Sequence, residues 1–353
     1  MKKKSRIGPD ISRQQLLEDP PGEITRRQYY SQVQSLFDPL GLLSPVLLKP
    51  KLILRKTWED GCQKLGWDEP LPSYLVKEMI EFFIDLFELE KIEFPRSIVP
   101  SEDVVGKPDL VIFSDGTTCA FGSVAYIRWQ LKSGGWWSNI ILSKSKIAPK
   151  SRITIPRLEL NGAVLSKRLD EFVVGTLDVQ FQNVFHLVDS STVLGYLHKV
   201  DSKLKPYEGI RVSEIQMSGE FIDRRLHNWS WIDRENNLAD WATKPRRVHE
   251  LKHDGFWQKG PMFLRKDASE WPVKLDFRTD RLDGELQPKG VLMVFTISEE
   301  MKHILEEKPL QKCSSAQKLI RILGYVHKWR TKSLNPAVKN VLPVEILQYA
   351  RTT

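Results

Sequence analysis

The sequence predicts an α/β fold in which a five-stranded mixed sheet carries helices on both faces. Residues 110–113 form an unbroken apolar run, which is typical of a strand buried on both faces. Residues 121–129 and 136–143 are strand candidates separated by a Gly-Gly turn, as in neighbouring antiparallel strands. Apolar residues then recur at helical spacing through residues 156–172. Together these patterns indicate a sheet that begins antiparallel and is covered by a long helix.

The N-terminal part of the chain, from about residue 24 to residue 98, has a helical pattern. Thr25 is placed to cap a first helix, which residues 38–45 end with two prolines and a glycine. The helical pattern resumes after this break, and residues 75–92 form an amphipathic helix. Residues 94–108 have the composition of a linker that delivers the chain to the first strand of the sheet.

Beyond the long helix, strands and helices alternate. A strand ends at Asp189 and a helix follows it, after which helical residues 210–226 precede a fifth strand at 229–232. Past Arg247 the pattern weakens, and residues 299–307 and 314–332 are two further helix candidates.

Composition restricts the classes of function. The chain has 353 residues with 41% hydrophobic content, enough for two or three domains with proper cores. Its formal charge of +8 favours a polyanionic partner. The three cysteines lie far apart without zinc-ligand spacing, which favours a reducing compartment. No secretory signal and no apolar run long enough for a membrane span is present, so we expect an intracellular protein.

Four acids stand in positions that suit a metal site. Asp115 ends the first buried strand and Asp189 ends the run VFHLVD. Glu159 flanks the apolar stripe of the long helix, and Asp240 follows the aromatic strand WSWI within NNLADWATK. A carboxylate at the end of a buried strand is poorly solvated and needs a hydrogen-bond donor or a cation as partner.

The order and contexts of these acids resemble the ribonuclease H domain. More narrowly, the segments RLEL, LVDSSTVLGYL and NNLADWATK resemble those of BEL/Pao-type retrotransposon Pol polyproteins. The segment YYSQVQSLFDPLGLLSPVLLKPK is similar to the stretch that closes the reverse transcriptase in the same polyproteins. The resemblance divides the chain into 1–98, the thumb-like end of a reverse transcriptase; 99–247, a ribonuclease H-like domain; and 248–353, a connector towards an integrase that this chain does not contain.

The resemblance implies a Mg²⁺-dependent endonuclease that hydrolyses the RNA strand of RNA–DNA hybrids during reverse transcription. Asp115 would bridge two Mg²⁺ ions, for which Mn²⁺ could substitute, about 4 Å apart. Glu159 and Asp189 would hold the ion on the leaving-group side, and Asp240 the ion that activates water. The implied partners are the hybrid and the rest of the Pol polyprotein, namely the reverse transcriptase core and the integrase. No membrane is implied, and the expected location is a cytoplasmic particle or the nucleus.

Two groups of residues are candidates for contacts with the nucleic acid. Gly116 and Thr117, directly after Asp115, are placed to recognise the 2′-hydroxyls that distinguish RNA from DNA. The basic segment before Glu159 is predicted to contact phosphates through Lys144, Lys146, Lys150, Arg152 and Arg157. A second basic cluster, Lys49, Lys51, Arg55 and Lys56, fits either a duplex contact or a solvated helix face equally well.

Other interpretations stay open. Taken alone, each acid fits a structural role, as a turn cap, a helix cap or an ordinary helix residue. Only their joint occurrence favours a metal site. Gly116 departs from the small Ala or Ser expected after the first Asp. The chain could be an inert or repurposed nucleic-acid-binding remnant of a transposon. An integrase shares the fold, but the sequence carries no zinc-binding module and has four acids rather than three.

Overall fold

A six-stranded mixed sheet is the centre of the computed structural model, which describes residues 13–59, 61–150, 153–198, 204–216 and 228–274. The strands lie in the order β3-β2-β1-β4-β5-β6, with parallel pairing of β1 with β4 and of β4 with β5 and antiparallel pairing elsewhere. The strands are β1 (Val104–Gly116), β2 (Ala120–Leu131), β3 (Trp136–Ile147), β4 (Val184–Val188), β5 (Trp229–Ile232) and β6 (Val273–Lys274). The predicted α/β class with a mixed sheet is confirmed, and the short β6 is one strand more than predicted.

Helices cover both faces of the sheet, as predicted. The α-helices are α1 (Arg13–Glu18), α2 (Arg26–Gln34), α3 (Ser44–Lys56), α4 (Ser73–Leu86), α5 (Ile155–Thr176), α6 (Ser191–His198), α7 (Pro206–Gln216), α8 (Ala239–Thr243) and α9 (Phe256–Lys259). Short 3₁₀ helices occupy Cys62–Lys64, Phe87–Lys91, Val248–Leu251, Met262–Arg265 and Ala268–Glu270. No helix in the described ranges combines the length and apolar character needed to cross a membrane.

Strand β1 separates two hydrophobic cores because its side chains alternate between the faces of the sheet. Val111 and Phe113 pack with the N-terminal helices and the residues that follow β5. Leu110 and Ile112 pack on the opposite face with the C-terminal half of α5. All four side chains are fully buried, as the unbroken apolar run predicted.

The N-terminal helices follow the sequence pattern closely. Thr25 caps α2 with a capping box, in which its hydroxyl accepts the backbone N–H of Gln28 and the side chain of Gln28 accepts the backbone N–H of Thr25. The apolar stripe of α4 is buried in the same core as Val111 and Phe113. The N-terminal helices therefore belong to the core on this face of the sheet, where α3 contacts β3 and α4 packs on α3.

Two distant segments are fastened to the sheet by buried hydrogen bonds. The backbone N–H of Ser143 on β3 donates to the carbonyl of Leu40 at 2.9 Å, which covers the outer edge of the sheet. Trp257, fully buried on α9, donates its indole N–H to the carbonyl of Leu42 at 2.8 Å. The hydroxyl of Tyr126 on β2 donates to the carbonyl of Trp257 at 2.5 Å.

Several element boundaries differ from the sequence prediction. Strand β1 begins at Val104, so residues 104–108 of the predicted linker 94–108 belong to the sheet, where Val104 and Val105 pair with β2. Strand β3 extends to Ile147, beyond the predicted end at residue 143, because the alternating residues 144–147 keep pairing with β2. The helix predicted for residues 210–226 begins earlier, at Pro206, and its described part ends at Gln216. Residues 217–227 and the two predicted C-terminal helices, 299–307 and 314–332, lie outside the described residues.

Candidate active site

Two parallel strands bring the first pair of acids together. Asp115 is the penultimate residue of β1, and Asp189 directly follows β4. Ser114 and Val188 are paired in the parallel register, so Asp115 and Asp189 are neighbours at the carboxyl ends of adjacent strands. In a parallel pair this is the end at which α/β sheets present their functional groups.

Helix α5 places Glu159 at the same end of the sheet. Two glycines, Gly116 and Gly162, allow the backbone of α5 to pack closely against the backbone of β1. A Cβ at Gly116 would lie 2.2 Å from the carbonyl carbon of Leu158, and a Cβ at Gly162 would lie 2.4 Å from the carbonyl oxygen of Asp115. Any larger residue at either position would push α5 away from β1. This contact is the physical reason for the glycine at 116, where the resemblance led us to expect Ala or Ser.

Asp240 reaches the site from the other face of the sheet, on α8. Thr243, one turn further along the helix, donates its hydroxyl to Asp115 Oδ2. Asp240 itself is paired with Lys244 and lies 3.7 Å from Arg246 and 3.8 Å from Arg234. The fourth acid is therefore the most strongly compensated by cations.

The other three acids are held in unfavourable surroundings for a charge. Burial, with added repulsion from Asp240, raises the pKa of Asp115 above its ordinary value. Burial and repulsion from Asp115 likewise raise the pKa of Glu159. For Asp189, burial together with repulsion from Asp115 and Glu159 raises the pKa to about 7. Asp115 is thus electrostatically coupled to all three other acids, as expected for carboxylates gathered at one place.

Each acid also has its own hydrogen-bond donor in the protein. Glu159 accepts from the hydroxyl of Ser190 at 2.6 Å, and Asp189 accepts from the side chain of Asn237. With the side chains turned towards these donors, no three His, Cys, Asp or Glu groups among the described residues are close enough to hold one metal ion. The oxygen-only donor set and its mutual repulsion are chemically suited to a hard cation such as Mg²⁺.

The residues predicted to contact nucleic acid are spread around this end of the sheet. Thr117 closes the β1–β2 turn, because its hydroxyl donates to the carbonyl of Ala120 and accepts the backbone N–H of the same residue. Lys144 and Lys146 are exposed on β3. Lys150 is exposed and donates to the carbonyl of Trp58 at 3.2 Å. Binding of nucleic acid by these four residues stays a prediction.

The remaining two basic candidates differ from the lysines. Arg157 forms an ion pair at 2.5 Å with Glu208, whose side chain is fully buried, so part of its role is to hold α7 against α5. Arg152 lies outside the described residues.

Sequence reasoning missed the residues that support the acids. Thr243 and Asn237 gave no separate signal, since a lone Thr or Asn in a short polar helix has many possible roles. Ser190 caps the start of α6 by accepting the backbone N–H of Val193 at 3.2 Å, and it also donates to Glu159. Trp241, next to Asp240, lies parallel to Trp257 with ring centroids 6.2 Å apart.

Comparison with known proteins gives one family-model match and no curated relative. Residues 25–190 match a family model described as a Pao retrotransposon-like RNaseH-like domain. No curated protein matches the chain.

Solved ribonuclease H structures are similar to this chain over a limited part of it. The N-terminal RNase H domain of a Mycobacterium tuberculosis protein, solved as a fusion with maltose-binding protein, is 18% identical, with a TM-score of 0.26, over 37% of this chain and 86% of that chain. RNase H1 from Halobacterium salinarum is 13% identical, with a TM-score of 0.24, over 37% of this chain and 89% of that chain. LC11-RNase H1, solved in complex with an RNA/DNA hybrid, is 14% identical, with a TM-score of 0.24, over 37% of this chain and 88% of that chain.

Proposed function

We propose, from the premise that residues 25–190 form a Pao retrotransposon-like RNaseH-like domain, that this chain is a Mg²⁺-dependent endonuclease. Its substrate would be the RNA strand of RNA–DNA hybrids formed during reverse transcription of a retrotransposon. Asp115, Glu159, Asp189 and Asp240 would be the catalytic and metal-binding residues. The rest of the Pol polyprotein would be its physiological partner.

One observation carries the proposal: Asp189 is a partly buried carboxylate that is repelled by two other carboxylates. Its pKa is raised to about 7 by burial and by repulsion from Asp115 and Glu159. A protein that needed only stability at this position would gain by replacing the acid with a neutral residue. Retaining it costs free energy in the metal-free state, and a bound divalent cation is the partner that would offset this cost.

The four acids would divide the work by their positions. Two bound Mg²⁺ ions would supply an activated water and would neutralise charge on the leaving oxygen. Asp115, coupled to the other three acids, is suited to touch both ions. As the ribonuclease H resemblance implies, Glu159 and Asp189 would hold the ion on the leaving-group side, and Asp240 the ion that activates water.

The protein's own cations and hydroxyls would set the resting state. Thr243, Ser190 and Asn237 supply hydrogen bonds to Asp115, Glu159 and Asp189. Lys244 holds Asp240 in the same way. Metal binding would then require these side chains to exchange protein donors for the metal, which makes affinity depend on the strength of these hydrogen bonds.

The proposal is tested by cleavage of a labelled RNA–DNA hybrid with the full chain in Mg²⁺. We expect cleavage of the RNA strand in Mg²⁺ or Mn²⁺ and none in EDTA. Asp189→Asn should lower the rate by at least about 100-fold, since an Asn carbonyl is a weaker ligand for a hard cation than a carboxylate. Hybrid binding, measured by fluorescence anisotropy in EDTA, should persist in this variant.

The matched control is Asp170→Asn, a buried aspartate of α5 outside the site. Any cleavage that it retains, normalised to the folded fraction, should have an unchanged Mg²⁺ dependence. Hybrid binding without metal-dependent cleavage in the wild-type chain would overturn the nuclease and favour the repurposed binding protein.

A further inference from the structure

A groove of about 530 Å³ lies between β3, α5 and the segment that joins α2 to α3. None of the four candidate catalytic acids is among its described lining residues. It is therefore a separate feature from the carboxylate site, and its chemistry can be considered independently.

The groove has a basic rim. Lys51, Lys144 and Lys146 line it, all three are exposed, and none forms an ion pair with another residue in the described part of the chain. A fourth lining cation, Arg168, is neutralised by Glu214 at 2.6 Å. Asp38 offsets part of the charge of Lys51, but Lys144 and Lys146 keep the rim positive, which makes the concavity a favourable site for a polyanion.

The one acid among the described residues that line the groove, Asp38, does not neutralise all of this charge, because its carboxylate also binds the backbone. Asp38 lines the groove, and its two carboxylate oxygens accept the backbone N–H groups of Leu42 and Leu43 at 3.0 and 2.9 Å. These hydrogen bonds hold the turn that precedes α3. Asp38 thus shapes the wall, and its lone pairs are largely committed to the backbone.

The same wall is fixed to the sheet. The hydroxyl of Ser143 donates to the carbonyl of Gly41 at 2.7 Å, next to the backbone bond from Ser143 to Leu40. Gly41 has φ of +67°, and a Cβ there would lie 1.9 Å from the carbonyl oxygen of Ser143. No other residue fits at position 41 without moving the wall of the groove. The hydrogen bonds to Ser143 fix this wall, so the groove is preformed.

Apolar and aromatic groups complete the lining. Leu165, Leu169 and Phe172 of α5 lie along the groove, and Phe172 is 57% exposed. Phe37 is 87% exposed and stands between two lining residues, Leu36 and Asp38. An exposed aromatic ring in the same lining as exposed lysines, here Phe172 with Lys144 and Lys146, supplies the two components of a surface that stacks bases and contacts phosphates.

The groove opens at the same end of the sheet as the acids. Ser145, between Lys144 and Lys146, is in register with Gly122, which is in register with Asp115. Two strand spacings separate the backbones of Ser145 and Asp115, roughly 10 Å. A strand leaving the carboxylate site could therefore enter the groove within a few nucleotides.

We propose that this groove binds a single-stranded polynucleotide, namely the unpaired strand that continues from a hybrid held at the carboxylate site. The phosphates would lie on Lys51, Lys144 and Lys146, and bases would stack on Phe37 and Phe172. Paired bases are hidden within a duplex stack, so the apolar lining favours an unpaired strand over a duplex. The inference rests on the proposed function only for the identity of the hybrid, and not for the binding itself.

The test compares hybrids with different tails by fluorescence anisotropy on the full chain in EDTA. One hybrid is blunt, one carries a single-stranded tail of about eight nucleotides, and one carries a double-stranded extension of the same length. We expect the single-stranded tail to tighten binding roughly tenfold or more, and three phosphate contacts to steepen the salt dependence by about 2 in log–log slope. RNA and DNA tails, each on either strand and at either end, identify which unpaired strand is bound.

The double variant Lys144→Glu/Lys146→Glu should lose most of the tail's gain, and Phe172→Ala part of it. The matched control is Lys107→Glu/Lys132→Glu, two exposed lysines at the opposite end of β1 and β2, which should keep the gain. A gain that survives the reversal at 144 and 146, or that a double-stranded extension gives equally, overturns the groove. Tail binding without any cleavage would instead overturn the nuclease and leave the groove intact.

Discussion

Asp170, which is fully buried, and Asp189, which is partly buried, are two aspartates with opposite electrostatic surroundings. Asp170, on α5, is an ion pair with Lys167 at 2.9 Å and lies 3.6 Å from His186. His186 is hydrogen-bonded to Ser166 at 2.7 Å and stacked on Trp229. Burial acts to raise the pKa of Asp170, but His186 and Lys167 outweigh it and hold the pKa well below its usual range.

Asp189 has no such cation. Burial and two neighbouring carboxylates raise its pKa to about 7, and its donors are Asn237 and the backbone. The comparison teaches that burial alone does not decide the charge of an acid. A buried acid with its own cation belongs to the structure, and a buried acid that faces other acids points to a function that an added cation completes.

Neutralising each aspartate in turn gives the largest expected difference between the two. Asp170→Asn leaves Lys167, 2% exposed, without its counter-ion, and we expect a loss of about 3–5 kcal/mol in the free energy of unfolding. Asp189→Asn removes a repelled charge and should leave the metal-free free energy of unfolding unchanged or higher. Urea denaturation in EDTA measures both. Equal losses in the two variants would show that the surroundings of the two acids do not differ as described.

The pH dependence of stability separates the same two acids. Folded Asp189 keeps its proton up to about pH 7, whereas in the unfolded chain it titrates near 3.8. The folded protein thus binds more protons between these values, and the contribution of Asp189 to stability is lost as pH rises from about 4 to about 7, by at most about 4 kcal/mol.

This loss is measured as the difference between wild type and Asp189→Asn in metal-free urea denaturation across that range. Asp170 contributes with the opposite sign: its depressed pKa stabilises above the unfolded value and is lost as pH falls. A difference between wild type and Asp189→Asn that stays flat from pH 4 to 7 would contradict the raised pKa.

The smallest of the three effects concerns how α5 is held against β1. Gly162→Ala would force a Cβ to within 2.4 Å of the Asp115 carbonyl oxygen, so we expect a loss of about 1–3 kcal/mol and slower hybrid cleavage through displaced Glu159. Gly175→Ala in the same helix meets no atom within 4 Å and should stabilise by about 0.5–1 kcal/mol. Thermal unfolding and cleavage assays compare the pair, and similar effects of the two alanines would contradict the close approach.

Much of this architecture could be predicted from local patterns. The fully apolar residues 110–113 gave the central strand, and Thr25 with Gln28 gave the start of α2, because burial and capping act on neighbouring residues. Asp115 and Asp189 could be placed at strand ends for the same reason. The six-stranded order required pairing between distant segments, and β6, two residues long, left no periodic signal.

The surroundings of the candidate site were less accessible to sequence reasoning. The Lys167–Asp170 pair reads as an ordinary i,i+3 pair on a solvated helix face, and only the fold buries it beside His186. Gly116 looked like a departure from the family pattern until the packing of α5 supplied its reason. Such features depend on contacts between elements far apart in sequence, which composition and spacing do not encode.

The anchoring of Trp257 has a consequence for where the molecule can be cut. A chain ending at residue 247 would keep all four acids, yet it would strip the phenol of Tyr126 of its acceptor and the carbonyl of Leu42 of its donor. Solvent would satisfy these groups once they are uncovered, so the larger cost is apolar. Residues 248–274 supply Val248, Leu251, Trp257, Phe263 and Leu264 to the core, and about 1.5–3 kcal/mol is lost for each large apolar side chain that is no longer buried. The shortest self-sufficient version of this protein therefore extends well past Asp240, and a chain trimmed to end just after the four acids would be unstable.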